Sequence, residues 1–288
     1  MAAQKLDGSE FRLLQGVIIA GDYAPLLARP KNRGDMGLGD WFKGVLTRPQ
    51  EELTLTVPRH EPASIADVIT RMRLIQAQLP PADGVAQFNR MYMTVTEDVL
   101  DRSIGHQFED KEFVERLDVV FANLYFKALA DYTRDPQTCA RCWSPLFQSR
   151  HNSRIAPIQF ALAGMNAHIN HDLVLALEAT CHEMERDLER DSAHYRDFCR
   201  INALLAEAQE KIEPAFKRGV LGIIDRVLGQ ADEAAEMWSM ERARENAWVQ
   251  TEALWLLRAN EQLATRFLLA LDRTVGFAGR GLLFERPF

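Results

Sequence analysis

The chain has few cysteines, no basic excess and no long apolar run, and each shortage removes a class of protein. Four cysteines in 288 residues are too few for a disulfide scaffold. The first thirty residues lack the basic-then-apolar pattern of a secretory signal, so the sequence predicts a reduced, cytoplasmic protein. Lys and Arg number 34 against 41 Asp and Glu, a formal charge of -7. That balance argues against nucleic acid as a partner, because binding there is driven by cationic groups that displace phosphate counterions. No apolar stretch reaches the roughly 20 residues a spanning helix needs, so no membrane span is expected. Gly34-Asp-Met-Gly-Leu-Gly-Asp40 follows no buried strand and precedes no Lys-Ser/Thr pair, and it reads as a turn rather than a phosphate loop. No nicotinamide, flavin or ATP signature is found elsewhere. What is present, 47% hydrophobic and 26% charged residues, is the composition of a folded globular chain and excludes disorder, collagen and coiled coil.

Residues 1–62 are repeatedly interrupted by Gly34, Gly37, Gly39, Pro25, Pro30, Pro49 and Pro58, and they read as an irregular leader. Gln15–Ala20 and Leu53–Val57 are its only strand-like pieces, each short enough to be an extended arm. From Ser64 onward the apolar residues recur at three and four, the helical period, and residues 63–288 read as a single α-helical domain. Ser64 is placed to cap the first helix, whose stripe runs from Ile65 to Leu79 and stops at Pro80-Pro81. Further helices are expected over about 84–104, 111–133, 157–184, 191–213, 214–229, 232–258 and 260–275. The expected fold is all-α, a bundle of about eight helices with an irregular N-terminal segment.

The segment from Ile158 to Met184 is the most apolar of these and should lie at the bundle centre, yet five polar residues interrupt it: Asn166, His168, Asn170, His171 and Asp172. On one helix His168 and Asp172 stand a turn apart on the same face, as do Asn166 and Asn170. Each neutral polar group buried without a partner costs on the order of 2–7 kcal/mol, so this set needs partners. A His and an Asp at that offset can share a metal ion, or the Asp can orient the His for proton transfer. The opposite wall offers Asn89, Arg90 and Tyr92 from one neighbouring helix. The other neighbour offers Asp118, Asn123 and Tyr125, with Asp118 and Tyr125 stacked seven apart.

The expectation is a small-molecule enzyme, of isomerase, cyclase or hydrolase type, acting on a largely apolar substrate. His168, Asp172, Asn166, Asn170 and Tyr125 form its catalytic set, and Tyr92, Asn89, Arg90 and Asn123 bind substrate. If a divalent metal is involved, His168, His171, Asp172 and Asp118 are the candidate ligands. The competing expectation is a non-catalytic binding or scaffold module whose buried polar ladder specifies packing.

Other signals are weaker. Cys139 and Cys142 have the spacing of a redox pair or half a zinc site, with Cys181 and His182 as the other half, but their place in a loop favours incidental thiols. Glu97, Asp98 and Asp101 only partly match the acidic motif that holds magnesium diphosphate. His194, between Asp191 and Asp197, reads as a surface pairing. Trp248 and Trp255, seven apart, read as packing residues or the contact of a homodimer.

Four segments carry a resemblance to a known family: Ser64-Ile-Ala-Asp-Val-Ile69, Asp83-Gly-Val-Ala-Gln-Phe-Asn-Arg-Met-Tyr92, Leu117-Asp-Val-Val-Phe-Ala-Asn-Leu-Tyr-Phe126, and Ile158 to Leu173 with its Asn-Ala-His-Ile-Asn-His-Asp-Leu motif. Over about residues 60–210 the chain resembles the helical domain-of-unknown-function family numbered 5995. The resemblance implies that these segments belong to one domain and carries no reaction with it.

Overall fold

A computed structural model describes residues 53, 55, 56, 58, 60–105, 107–211 and 240–285. The Gln15–Ala20 arm, the glycine-rich turn, the helix expected over 214–229, the start of that expected from 232, and His106 lie outside the described residues. The rest is all-α. The helices are α1 (Ile65–Gln78), α2 (Gly84–Ile104), α3 (Lys111–Arg134), the short α4 (Ser144–Ser149), α5 (Pro157–Ala167), a π-helical turn (His168–Asp172), α6 (Leu173–Glu183), α7 (Ala193–Lys211), α8 (Met240–Leu257) and α9 (Glu261–Leu282). Counting α5, the π turn and α6 as one rod gives eight among the described residues, and none of those residues forms a strand.

Local chemistry sets the helix starts. Ser64 Oγ accepts from the Asp67 amide at 3.2 Å, Asp83 from Val85 at 2.8 Å, Asp110 from Phe113 at 3.2 Å and Asn260 from Leu263 at 3.2 Å. Each satisfies an amide that has no partner inside the first turn. At α5, Pro157 occupies the first turn, and the Gln159 side chain reaches back to accept from the Ala156 amide at 2.9 Å. The same side chain donates to Leu282 O and Phe284 O at the end of α9, joining the start of the central rod to the chain's last described turn.

The central rod is enclosed. α5 packs against α2 and α9, the π turn against α3, α8 and α9, and α6 against α3 and α8. Residues 159–174 are buried without a break. α2 can approach α5 this closely because Gly164 has no side chain: a Cβ there would stand 2.3 Å from Phe88 Cδ2 and 2.8 Å from Phe88 Cβ. The end of the leader also packs, with Leu53 and Leu55 in the core and Thr56 exchanging hydrogen bonds with the Gln78 side chain on α1.

Three expectations change. The 157–184 segment is two α-helices joined by a π turn rather than one continuous helix, and the connection before it contains the short α4. His194 is not a surface residue: it is buried, with Nε2 2.9 Å from Asp187 O and its ring against Phe113. Asp197 turns away from it to accept from the Asp110 amide at 2.6 Å and to pair with Arg200. Trp248 is a packing residue as expected, fully buried against Tyr195 and Phe198.

Gly164→Ala should destabilise the protein by about 1–3 kcal/mol, the usual cost of forcing a methyl into a filled core. Urea denaturation followed by circular dichroism measures this; unchanged stability would mean that the α2–α5 contact yields freely.

Candidate functional site

The five polar residues that interrupt the apolar segment fall on and beside the π turn. A π turn inserts one extra residue into an α-helix, and such insertions are frequent at functional sites. Here the Leu173 amide donates to His168 O, the five-residue spacing that defines it. The widened turn lets both histidines reach one carboxylate. His168 Nδ1 lies 3.1 Å from Asp172 Oδ2 and His171 Nδ1 lies 2.8 Å from Asp172 Oδ1. Trp143, from the residue before α4, donates Nε1–H to Asp172 Oδ2 at 2.9 Å.

All four side chains are buried. Burial works to raise the Asp172 carboxyl, but the bonds from His168 and His171 overcome it and hold the group below the ordinary carboxylate range. Asp172 is therefore an ionised acceptor, and both imidazoles are assigned the tautomer with the proton on Nδ1. His168 is pushed down by desolvation despite Asp172 and stays neutral. For His171 desolvation is outweighed by the Asp172 bond and by the charges of Asp172 and Asp272, and its basicity rises.

His168 sits in a cage of rings. Phe121 stacks on it with centroids 3.5 Å apart and planes within 6°, and Tyr92 approaches at 4.4 Å. Phe88, Trp143 and Tyr125 complete the surround at 5.8, 5.8 and 6.2 Å. Its Nε2 is buried and has no hydrogen-bond partner. Two further buried atoms nearby share that condition, the Tyr92 hydroxyl and Asp118 Oδ2. Burial, reinforced by the charges of Asp118 and Asp172, pushes the Tyr92 hydroxyl well above its ordinary value. Burial alone raises Asp118 from 3.8 to about 7. Asp118 precedes Phe121 by one turn of α3, on the face that meets His168.

The other expected site residues divide. Tyr125 donates to Asn89 Oδ1 at 3.4 Å, and Asn89 Nδ2 donates to Met72 O at 3.0 Å and Gln76 Oε1 at 2.9 Å, so both tie α3 and α2 to α1. Asn166 donates to Val275 O on α9 at 2.9 Å and accepts weakly from Asn170 at 3.4 Å. Asn123 donates to Pro62 O at the end of the leader. Arg90 is exposed, outside the buried cage around His168. Of the residues expected on the opposite wall, Tyr92 and Tyr125 stand by the histidine and Asp118 acts on Tyr92, whereas Asn89 and Asn123 bond to backbone carbonyls and Arg90 is exposed.

Among the described residues, one cluster has three metal-ligating atoms within 4.8 Å of one another: Cys142, His171 and Asp272. Of the expected ligands it includes His171; His168, Asp172 and Asp118 are outside it. Cys139 is a buried thiol pushed up to about 12, mainly by burial, with its Sγ directed at Ala128 O and Ala140 O. It and Cys181 stand outside the cluster, and His182 is exposed. All four cysteines are free thiols. Glu97 pairs with Arg73 on α1.

Sequence reasoning missed Phe121 as the stacking partner of His168, Trp143 as a donor to Asp172, and Asp272. Only Trp143 carried a signal, since a buried indole N–H needs an acceptor. No helix among the described residues is long and apolar enough to cross a membrane.

No curated protein and no solved structure matches this chain. The model of a family of unknown function, DUF5995, matches residues 65–285, beyond the span of the four recognisable segments and through α9. The chain belongs to that family, and the π turn, its aromatic cage and the helices that hold them all lie inside the matched region.

Proposed function

We propose that this protein is an acid–base enzyme acting on a small, largely apolar molecule, with His168 as the general base. The observation that carries the reading is the bare Nε2 of His168: buried, unpartnered, and opposite an Nδ1 fixed by an ionised carboxylate. That arrangement leaves a lone pair on Nε2 and lets Asp172 stabilise the imidazolium formed when the pair takes a proton. Phe121 covers one ring face, so substrate approaches along the ring edge. Asp118, raised by burial to about 7, serves as the acid, with the Tyr92 hydroxyl as a second donor. The aromatic surround favours an apolar substrate body, and the paired base and acid suit isomerisation, cyclisation or hydrolysis.

Asn166, Asn170 and Tyr125 then act as positioning residues, because their bonds hold the helices around the base. The second reading, a non-catalytic module with a structural ladder, is favoured by the Asn89–Met72 and Asn166–Val275 bonds, which join side chains to neighbouring helix backbones. We further assign the protein to a reducing cytoplasm, on its four free thiols, and take a second copy as its candidate partner, on exposed Leu256 and Leu269.

His168→Gln decides between the two readings. Wild-type protein should accelerate α-proton exchange of small cyclic ketones in deuterated water, or hydrolysis of small aryl esters. The variant should lose about 10²-fold or more of that rate, the usual contribution of a general base, while remaining folded, because the glutamine amide can donate to Asp172 in place of Nδ1. Background rates for the wild type in both assays, with unfolding of the variant, would establish the structural ladder instead.

Asp118 supplies an independent check. Its folded-state value lies above the ordinary 3.8, so the folded protein binds this proton more tightly than the unfolded chain. Stability from this group is full below about pH 4 and declines as pH rises to about 7. Asp118→Asn should remove that part of the decline and be more stable than wild type at pH 8. Superimposable stability–pH curves for the two proteins would contradict the raised Asp118 carboxyl.

A further inference from the structure

The cluster of Cys142, His171 and Asp272 has no part in the acid–base reading and does not depend on it. Its three side chains come from the loop before α4, the π turn and α9. His171 is held by a residue outside the cluster, and Asp272 by the backbone of Cys142. His171 Nδ1 is engaged by Asp172 Oδ1 at 2.8 Å, which leaves Nε2 as the ring nitrogen with a lone pair. A carboxylate on the far nitrogen of a metal-binding histidine is the usual device that fixes the ring and strengthens it as a ligand. Asp272 is fixed by the Cys142 amide, which donates to Oδ1 at 2.9 Å.

The backbone is built for this approach. Gly276 stands one turn after Asp272, and a Cβ there would lie 2.5 Å from Arg141 O and 3.2 Å from Cys142 N. Only a residue without a side chain lets α9 close on the Arg141–Cys142 peptide and bring Asp272 to the thiol. Burial, with the charges of Asp172 and Asp272 added to it, pushes the Cys142 thiol well above its ordinary value. The neighbouring cations are Arg141 and Arg280, and Arg280 is itself depressed by burial and by Arg141.

We propose that Cys142, His171 and Asp272 form a binding site for one divalent transition metal of the zinc class, with Asp172 orienting His171 behind it. Thiolate and imidazole donors select zinc or cobalt over magnesium and calcium, which prefer all-oxygen sets. Three protein ligands leave a fourth tetrahedral position for water, the pattern of an open site. Binding displaces the Cys142 proton to solvent, so the thiol becomes a metal thiolate and one proton is released per ion.

Cobalt(II) is the probe. Protein made without a histidine tag and stripped with chelator is titrated with Co²⁺ and then with Zn²⁺. The site predicts one equivalent per chain, a thiolate-to-cobalt charge-transfer band, and loss of that band as zinc displaces cobalt. Cys142→Ser should abolish the band, whereas Cys139→Ser should keep it. Asp172→Asn should weaken zinc binding about 10–100-fold without abolishing it, the usual effect of removing an orienting carboxylate. Circular dichroism establishes that each variant is folded, and Asp272→Asn is a second ligand variant should Cys142→Ser fail to fold. A wild-type protein that takes up neither ion stoichiometrically, or a band that survives Cys142→Ser, would overturn the proposal.

Discussion

The structure depends on one buried carboxylate. Asp172 sits at the end of the π turn, in the most enclosed part of the bundle, and takes hydrogen bonds from His168, His171 and Trp143. An isolated ionised carboxylate in such a place would be untenable, since desolvation costs far more than any single neutral contact returns. Three converging donors make it tenable, and they come from two separate stretches of chain. The π turn provides both imidazoles, and the loop before α4 provides the indole, 29 residues away. Removing any one of them leaves charge without compensation, so the three donors and the helices that carry them are mutually constrained.

That constraint explains why the central rod is not a plain α-helix. In regular helical geometry neighbouring residues such as His171 and Asp172 point in different directions around the axis. The extra residue of the π turn changes the rotation between α5 and α6, and both histidines then close on Asp172. The surrounding packing serves the same arrangement. Gly164 lets Phe88 reach the rod, Phe121 lies flat on His168, and Asn166 holds α9 alongside through Val275 O. Asp172 also stands between the two proposed sites. One oxygen faces the histidine with a bare nitrogen, and the other faces the histidine that joins Cys142 and Asp272.

Much of this was legible from the sequence, and what was not has definite physical causes. The helical period marked most of the described helices, and Ser64 with Asp67 announced the first of them. The run Asn166 to Asp172 stood out because polar groups in an apolar helix need partners, and the structure places His168 and Asp172 in contact as their spacing implied. The π turn was not legible, because it arises from the demands of side chains packed around the rod rather than from local preference. The partners of the motif were hidden for a related reason. Phe121 reads as an ordinary core residue, and Asp272 as one charge on an amphipathic helix. Only the approach of α9 to Cys142, 130 residues away, gives Asp272 its meaning. Asn89 was expected to bind substrate, and its amide nitrogen bonds to Met72 O and Gln76 Oε1.

Asp172 is ionised and holds each histidine through Nδ1, leaving Nε2 of His168 bare. Long-range proton–nitrogen correlation spectra of ¹⁵N-histidine-labelled protein at neutral pH read the protonation of each ring nitrogen directly. His168 should be neutral, with a protonated Nδ1 and an unprotonated Nε2. A His168 found with its proton on Nε2, or doubly protonated, would contradict it.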